Sequence, residues 1–132
     1  MASMVAPRIL VVDDDQEFQR ALVKIFRKAG FKVSAASDGN QAANMLEKAH
    51  YAFMVMVLDL NLPGKPGLEL LREIKAKAPE TKIIVVTAYG DAAGRQAALE
   101  SGAFEFLNKP VKRKAVLEMV KKALDSTKLQ VR

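Results

Sequence analysis

Cysteine and tryptophan are absent from this 132-residue chain, histidine occurs once, and 6% of the residues are aromatic. Without cysteine there is no disulfide framework and no thiolate metal site, which points away from an oxidising compartment and towards the cytoplasm. The lone His50 follows the second helical segment without any kinase-like context, so it reads as a surface residue rather than a phosphorylated one. Long hydrophobic runs are lacking too. The longest, 52–58, falls far short of the roughly 20 residues needed to cross a bilayer, and the opening "MASMVAPR" has no apolar core of the kind an export signal needs. A soluble, unexported protein with no membrane partner is expected.

Acids are scarce in one place. Residues 1–108 hold 13 Lys or Arg and 13 Asp or Glu, whereas 109–132 hold eight basic residues against Glu118 and Asp125 alone, so the whole net charge of +6 lies downstream. Such a segment could meet an acidic partner or nucleic acid, but basic clusters on terminal helices are commonly solvated faces. No DNA-reading motif accompanies this one, so direct nucleic-acid binding is not expected.

What is present is a regular alternation. Half of the residues are hydrophobic, enough to fill one core, and a single domain over 1–132 is expected, with its core at about 7–126. Strand-length apolar runs recur at 8–12, 31–35, 53–58, 82–86 and 104–107. Between them apolar residues return at three- and four-residue spacing. Phe18, Leu22, Ile25, Phe26 and Ala29 form a stripe closed by Gly30, and Ala42, Met45, Leu46 and Ala49 form a second, opened by the capping pair Asp38 and Gln41. Leu68, Leu71 and Ile74 lead to Pro79, the alanine-rich 91–101 stops at Gly102, and Val116, Leu117, Val120 and Leu124 make the last stripe. Strict strand–helix alternation predicts an α/β fold with a parallel sheet covered on both faces. The runs at 9–12, 53–58 and 83–86 lack period-two polarity, as inner strands should, whereas "FKVSA" suits an edge.

In such a sheet, ligands bind beyond the carboxyl ends of the strands. Asp13 and Asp14 follow the first run, Asp59 the third, Thr87 the fourth, and Lys109 stands just past the fifth. Each has an ordinary reading alone: aspartates after strands cap helices, as assigned here to Asp15, and single threonines and lysines are commonly structural or solvated. Their joint placement is what calls for a function. Three gathered carboxylates repel one another unless a cation intervenes, and an all-oxygen set with open positions favours Mg2+. Lys109 and Thr87 would serve the oxygens of a transferring phosphoryl group. An aspartate can itself be the nucleophile, and Asp59, alone at the end of the most apolar strand, is the first choice.

With "VVDD" at 11–14, "LDLNLPG" at 58–64 followed by Gly67, "VVTA" at 85–88 and "GAFEFLNKP" at 102–110, the sequence resembles the receiver domain of two-component response regulators, of the single-domain chemotaxis type. That resemblance implies a flavodoxin-like (βα)5 fold with strand order 2-1-3-4-5. It implies that Asp59 accepts a phosphoryl group from a sensor histidine kinase or phosphotransfer protein in an Mg2+-dependent reaction. Asp14 and Asp59 would bind the metal directly, the Asn61 backbone carbonyl would be a third ligand, and Asp13 would act through water. Lys109 would pair with Asp59 and then with the phosphoryl group, Thr87 would move toward that group, and the ring at Phe106 would swing inward. A cis peptide at Lys109–Pro110 is implied as well. Phe106 replaces a frequent tyrosine, so its inward state rests on packing, and Lys65 adds a positive charge near the site. Tyr89, two residues past Thr87, is expected to shield the acyl phosphate from water.

Other classes fit less well. A phosphatase of the haloacid-dehalogenase type needs a second aspartate where Asn61 stands, and a dinucleotide-binding module needs a glycine-rich turn where three acids stand. The chain is therefore expected to catalyse only its own phosphorylation and dephosphorylation. Its partners would be the phosphodonor and either a downstream protein or a covalently attached output domain, with phosphorylation-dependent homodimerisation as a further outcome. The output surface is expected at the fourth helix, fifth strand and last helix, facing a partner with an acidic or amphipathic face.

Overall fold

A computed structural model of the chain describes residues 6–88 and 90–130, the side chains of 127–130 excepted. Five strands alternate with five helices: β1 (Arg8–Val12), α1 (Gln16–Lys28), β2 (Lys32–Ala36), α2 (Gly39–Lys48), β3 (Val55–Leu58), α3 (Gly67–Lys77), β4 (Lys82–Thr87), α4 (Ala92–Glu100), β5 (Glu105–Asn108) and α5 (Arg113–Gln130). All pairings are parallel and the sheet order is β2-β1-β3-β4-β5. This is the flavodoxin-like arrangement, with "FKVSA" supplying an edge.

The inner strands carry apolar side chains on both faces, which explains why they show no polarity alternation. Leu10, Val12, Met56, Leu58, Ile83 and Val85 pack with Leu46 of α2, Leu71 of α3 and Ala98 of α4. Ile9, Val11, Val55, Val57, Ile84 and Val86 pack on the other face with Leu22 and Phe26 of α1 and Val116 and Val120 of α5. Two layers of helices thus bury a sheet whose central strands are almost wholly inaccessible, and the hydrophobic term is concentrated there.

Local signals account for the helix ends. Asp15 caps α1, its carboxylate accepting from Phe18 N–H, and Asp38 and Asp91 cap α2 and α4 in the same way, each worth about 1 kcal/mol. The Asp38–Gln41 pair differs from the reciprocal form in one respect: Gln41 Oε1 accepts from Ser37 N–H at 2.7 Å. Gly30 and Gly102 both take positive φ just past a helix, as their placement predicts. The 53–58 run begins before its strand, because Phe53 is buried beneath the Arg8 guanidinium while Met54 is exposed.

Candidate functional site

The three inner strand ends meet at the same edge of the sheet. Asp13, Asp59 and Thr87 are buried there, 2%, 5% and 2% exposed. Lys109 reaches in from beyond β5, tied by its own N–H to the carbonyl of Thr87 at 2.8 Å. Its ammonium lies 2.9 Å from Asp13 Oδ2 and 3.2 Å from Asp59 Oδ2. The other oxygen of Asp59 accepts from the Thr87 hydroxyl at 2.9 Å and from the Asn61 N–H at 2.9 Å. The Asn61 side-chain amide in turn donates to Thr87 Oγ1 at 3.0 Å. Every hydrogen-bond partner of Asp59 among the described residues is therefore a donor. The Lys109–Pro110 bond is cis.

Carboxylate oxygens of Asp13, Asp14 and Asp59 lie within 4.8 Å of one another. Among the described residues, the exposed Asp14 side chain makes no hydrogen bond or ion pair. Two buried acids plus one solvent-facing acid, with no nitrogen or sulfur ligand among them, fit a hard divalent cation that keeps part of its water shell. Burial pushes the Asp13 carboxyl above its ordinary 3.8, and the neighbouring Asp59 pushes the same way, against the opposing pull of Lys109 and the Asp15 N–H. Burial also pulls Lys109 down, but the hydrogen bond and charge of Asp13, with those of Asp59, outweigh it and hold the ammonium above 10.5. The lysine gains two carboxylates while Asp13 has only a share in one lysine, so one cation leaves the acidic cluster incompletely neutralised.

The backbone around Asp59 is clamped by a glycine. A Cβ on Gly67 would stand 2.5 Å from Leu60 Cα and 2.8 Å from the Asp59 carbonyl oxygen, so only glycine lets α3 start this close to the acid. Phe106 is buried at 4% exposure, its ring filling the space a side chain at Gly90 would take. Thr87 is thus turned onto Asp59 and the Phe106 ring lies inside at the same time. Tyr89 lies outside the described residues.

The response regulator receiver domain family model matches residues 9–121. The chain belongs to that family. Protein PetR of Rhodobacter capsulatus is 37% identical over 117 residues, which cover 89% of this chain and 48% of PetR. The C4-dicarboxylate transport transcriptional regulatory protein DctD of Pseudomonas aeruginosa is 33% identical over 122 residues, covering 92% of this chain and 26% of DctD. Among solved structures, the receiver domain protein (CheY-like) of Methanospirillum hungatei superposes with a TM-score of 0.90 at 29% identity, covering 96% of this chain and 99% of that one. The chain spans about half the length of PetR and about a quarter of DctD. It is a response regulator receiver domain, a phosphorylation-dependent signalling switch of two-component systems, and receiver domains typically bind Mg2+ at an acidic pocket such as this cluster. Among the described residues no helix is long and apolar enough to cross a membrane.

The structure brings Asp13, Asp14, Asp59, Asn61, Thr87 and Lys109 together, and it adds two residues that the sequence reading did not place at the site. Gln19 is buried, and its amide donates to the carbonyls of Asp13 and Ala36, each at 3.0 Å, fastening the end of β1 to the end of β2. Its spacing with 22 and 26 puts it on the buried face of α1, but its polar side chain argues for exposure. Phe18 lies partly outside the core, with its ring 4.7 Å from Lys109 Nζ.

Proposed function

We propose that Asp59 is the phosphoacceptor of this receiver, taking a phosphoryl group from the phosphohistidine of a sensor histidine kinase or phosphotransfer protein. A carboxylate oxygen of Asp59 donates an electron pair to phosphorus while the P–N bond breaks and its pair returns to the imidazole. The convergence of Lys109, Thr87 and the Asn61 N–H on the two oxygens of one buried carboxylate carries this reading. Lys109 follows charge from the carboxylate to the phosphoryl oxygens, and Thr87 supplies a second donor on the opposite side. Asp14, Asp59 and the Asn61 carbonyl would hold Mg2+, with Asp13 behind it, and the metal would supply the positive charge that two donors alone do not.

Thr87 and Phe106 form the switch, the ring taking its inward place when the hydroxyl is held at the site. The receiver occupies 1–132 with its core at 7–126, acts in the cytoplasm, and passes the signal through α4, β5 and α5 to a target protein, an attached output domain or a second copy. Its only chemistry is its own phosphorylation and dephosphorylation. Exposed Lys114, Lys121 and Lys122 give α5 the positive face that an acidic or amphipathic partner would meet. Intact mass after incubation with Mg2+ and phosphoramidate tests the central claim. Wild type gains one phosphoryl group and Asp59→Asn gains none; an unmodified wild type, or equal gain in both, overturns it.

A further inference from the structure

Lys109 has three N–H donors, and the two carboxylates account for two of them. The same ammonium also lies over the ring of Phe18, 4.7 Å from its centroid. Phe18 is carried by the first turns of α1, directly after the Asp15 cap, so the helix that begins at the acidic cluster also delivers a ring to the lysine. Lys109 is 16% exposed at the side chain, and the ring walls an open hollow of about 460 Å³ shared with Asp15, Ala88, Pro110 and Val111. On that side the alternative to the ring is water.

We propose that Phe18 is a positioning residue for phosphorylation, acting through Lys109 by a cation–π contact. This rests on the reading of Asp59 as phosphoacceptor. The attraction requires the ammonium to lie over the ring face but does not depend on which N–H points at it, unlike a hydrogen bond. Lys109 can therefore leave Asp13 Oδ2 for a phosphoryl oxygen while staying over the ring. A third hydrogen bond to a fixed acceptor would have to break, and a water shell would have to be shed. The ring holds the ammonium in the site without fixing its heading.

The contact and its role are tested separately. In metal-free protein, side-chain NMR of Lys109 shows ring-current shifts of its ε protons, which Phe18→Leu and Phe18→Met remove and Phe18→Tyr keeps. With Mg2+ and phosphoramidate, Phe18→Leu and the volume-matched Phe18→Met lower the maximal phosphorylation rate constant about three- to ten-fold. The half-saturating donor concentration stays unchanged, and Phe18→Tyr restores the wild-type rate. Urea midpoints of all three confirm a folded domain. Absence of the ring-current shift in wild type, wild-type rates in Phe18→Leu and Phe18→Met, or a Phe18→Tyr as slow as Phe18→Leu each overturn the proposal. A wild type that takes no phosphate overturns it together with the reading beneath it; a phosphorylated wild type whose rate ignores the ring overturns it alone.

Discussion

The two ends of the parallel sheet solve the problem of buried polarity in opposite ways. At the carboxyl end, Asp13 and Asp59 are buried side by side with one lysine between them. At the amino end, among the described residues, Thr81 and Lys75 are each paired with backbone carbonyls. The buried Thr81 hydroxyl donates to the Phe53 carbonyl at 2.8 Å, and Lys75 Nζ donates to the carbonyls of Pro79 and Thr81 at 2.6 and 2.9 Å. Burial and the nearby Lys82 pull Lys75 below its ordinary 10.5, with Glu80 opposing. One end is built for stability; the other holds groups in an arrangement that stability alone would not select.

That contrast can be broken at four places. The largest effect is expected from Gly67→Ala, which drives a methyl group into the backbone of Asp59 and Leu60 and costs about 3 kcal/mol. Urea denaturation measures the loss, and phosphorylation should fall with it because the acid is displaced. Next, Thr81→Val leaves the Phe53 carbonyl without its donor and costs about 2 kcal/mol by the same measurement. Asp13→Asn should act in the opposite direction, stabilising Mg2+-free protein at pH 7 by about 1 kcal/mol, the usual size for relieving a functional site. Its sign follows from the raised pKa of Asp13: ionising it is harder in the folded state than in the unfolded chain. The penalty is absent below pH 3.8 and sets in as pH rises above that value, so the gain over wild type should vanish in acid and open with rising pH. An Asp13→Asn that destabilises like Thr81→Val would end the comparison. The smallest effect is at His50, a non-glycine residue at φ 52, where glycine should gain about 0.5–1 kcal/mol in melting experiments.

The sheet was legible in the sequence because burial on both faces leaves a strong mark: continuous apolar runs with turn residues between them. Strand ends shifted by a residue or two where exposure changed, as at Met54. The charged and hydroxyl residues of the site were legible because a parallel sheet sends each strand end to the same edge, so residues from four distant segments could be assembled without contacts. What held them there was not. Gln19 looks polar and therefore exposed, and only its three donor contacts, two to strand-end carbonyls and one to Ser37 Oγ at 3.3 Å, show why an amide is buried. Gly67 signals a close approach, but a glycine does not say which backbone approaches. Phe18 sits in an apolar stripe that predicts core, whereas its ring faces a cation as well as the core.

The donors around Asp59 all point inward, and this makes the acid intolerant of its nearest look-alike. An asparagine keeps the shape but replaces one acceptor oxygen with an NH2 group. If its oxygen stays with Thr87 and the Asn61 N–H, the new hydrogens face the Lys109 ammonium across the 3.2 Å that an ion pair now spans. The lysine must then turn wholly to Asp13. An amide at this position is therefore a poor copy of the resting receiver: besides removing the carboxylate it takes away one of the two ion-pair partners of Lys109 and leaves the lysine to Asp13 alone.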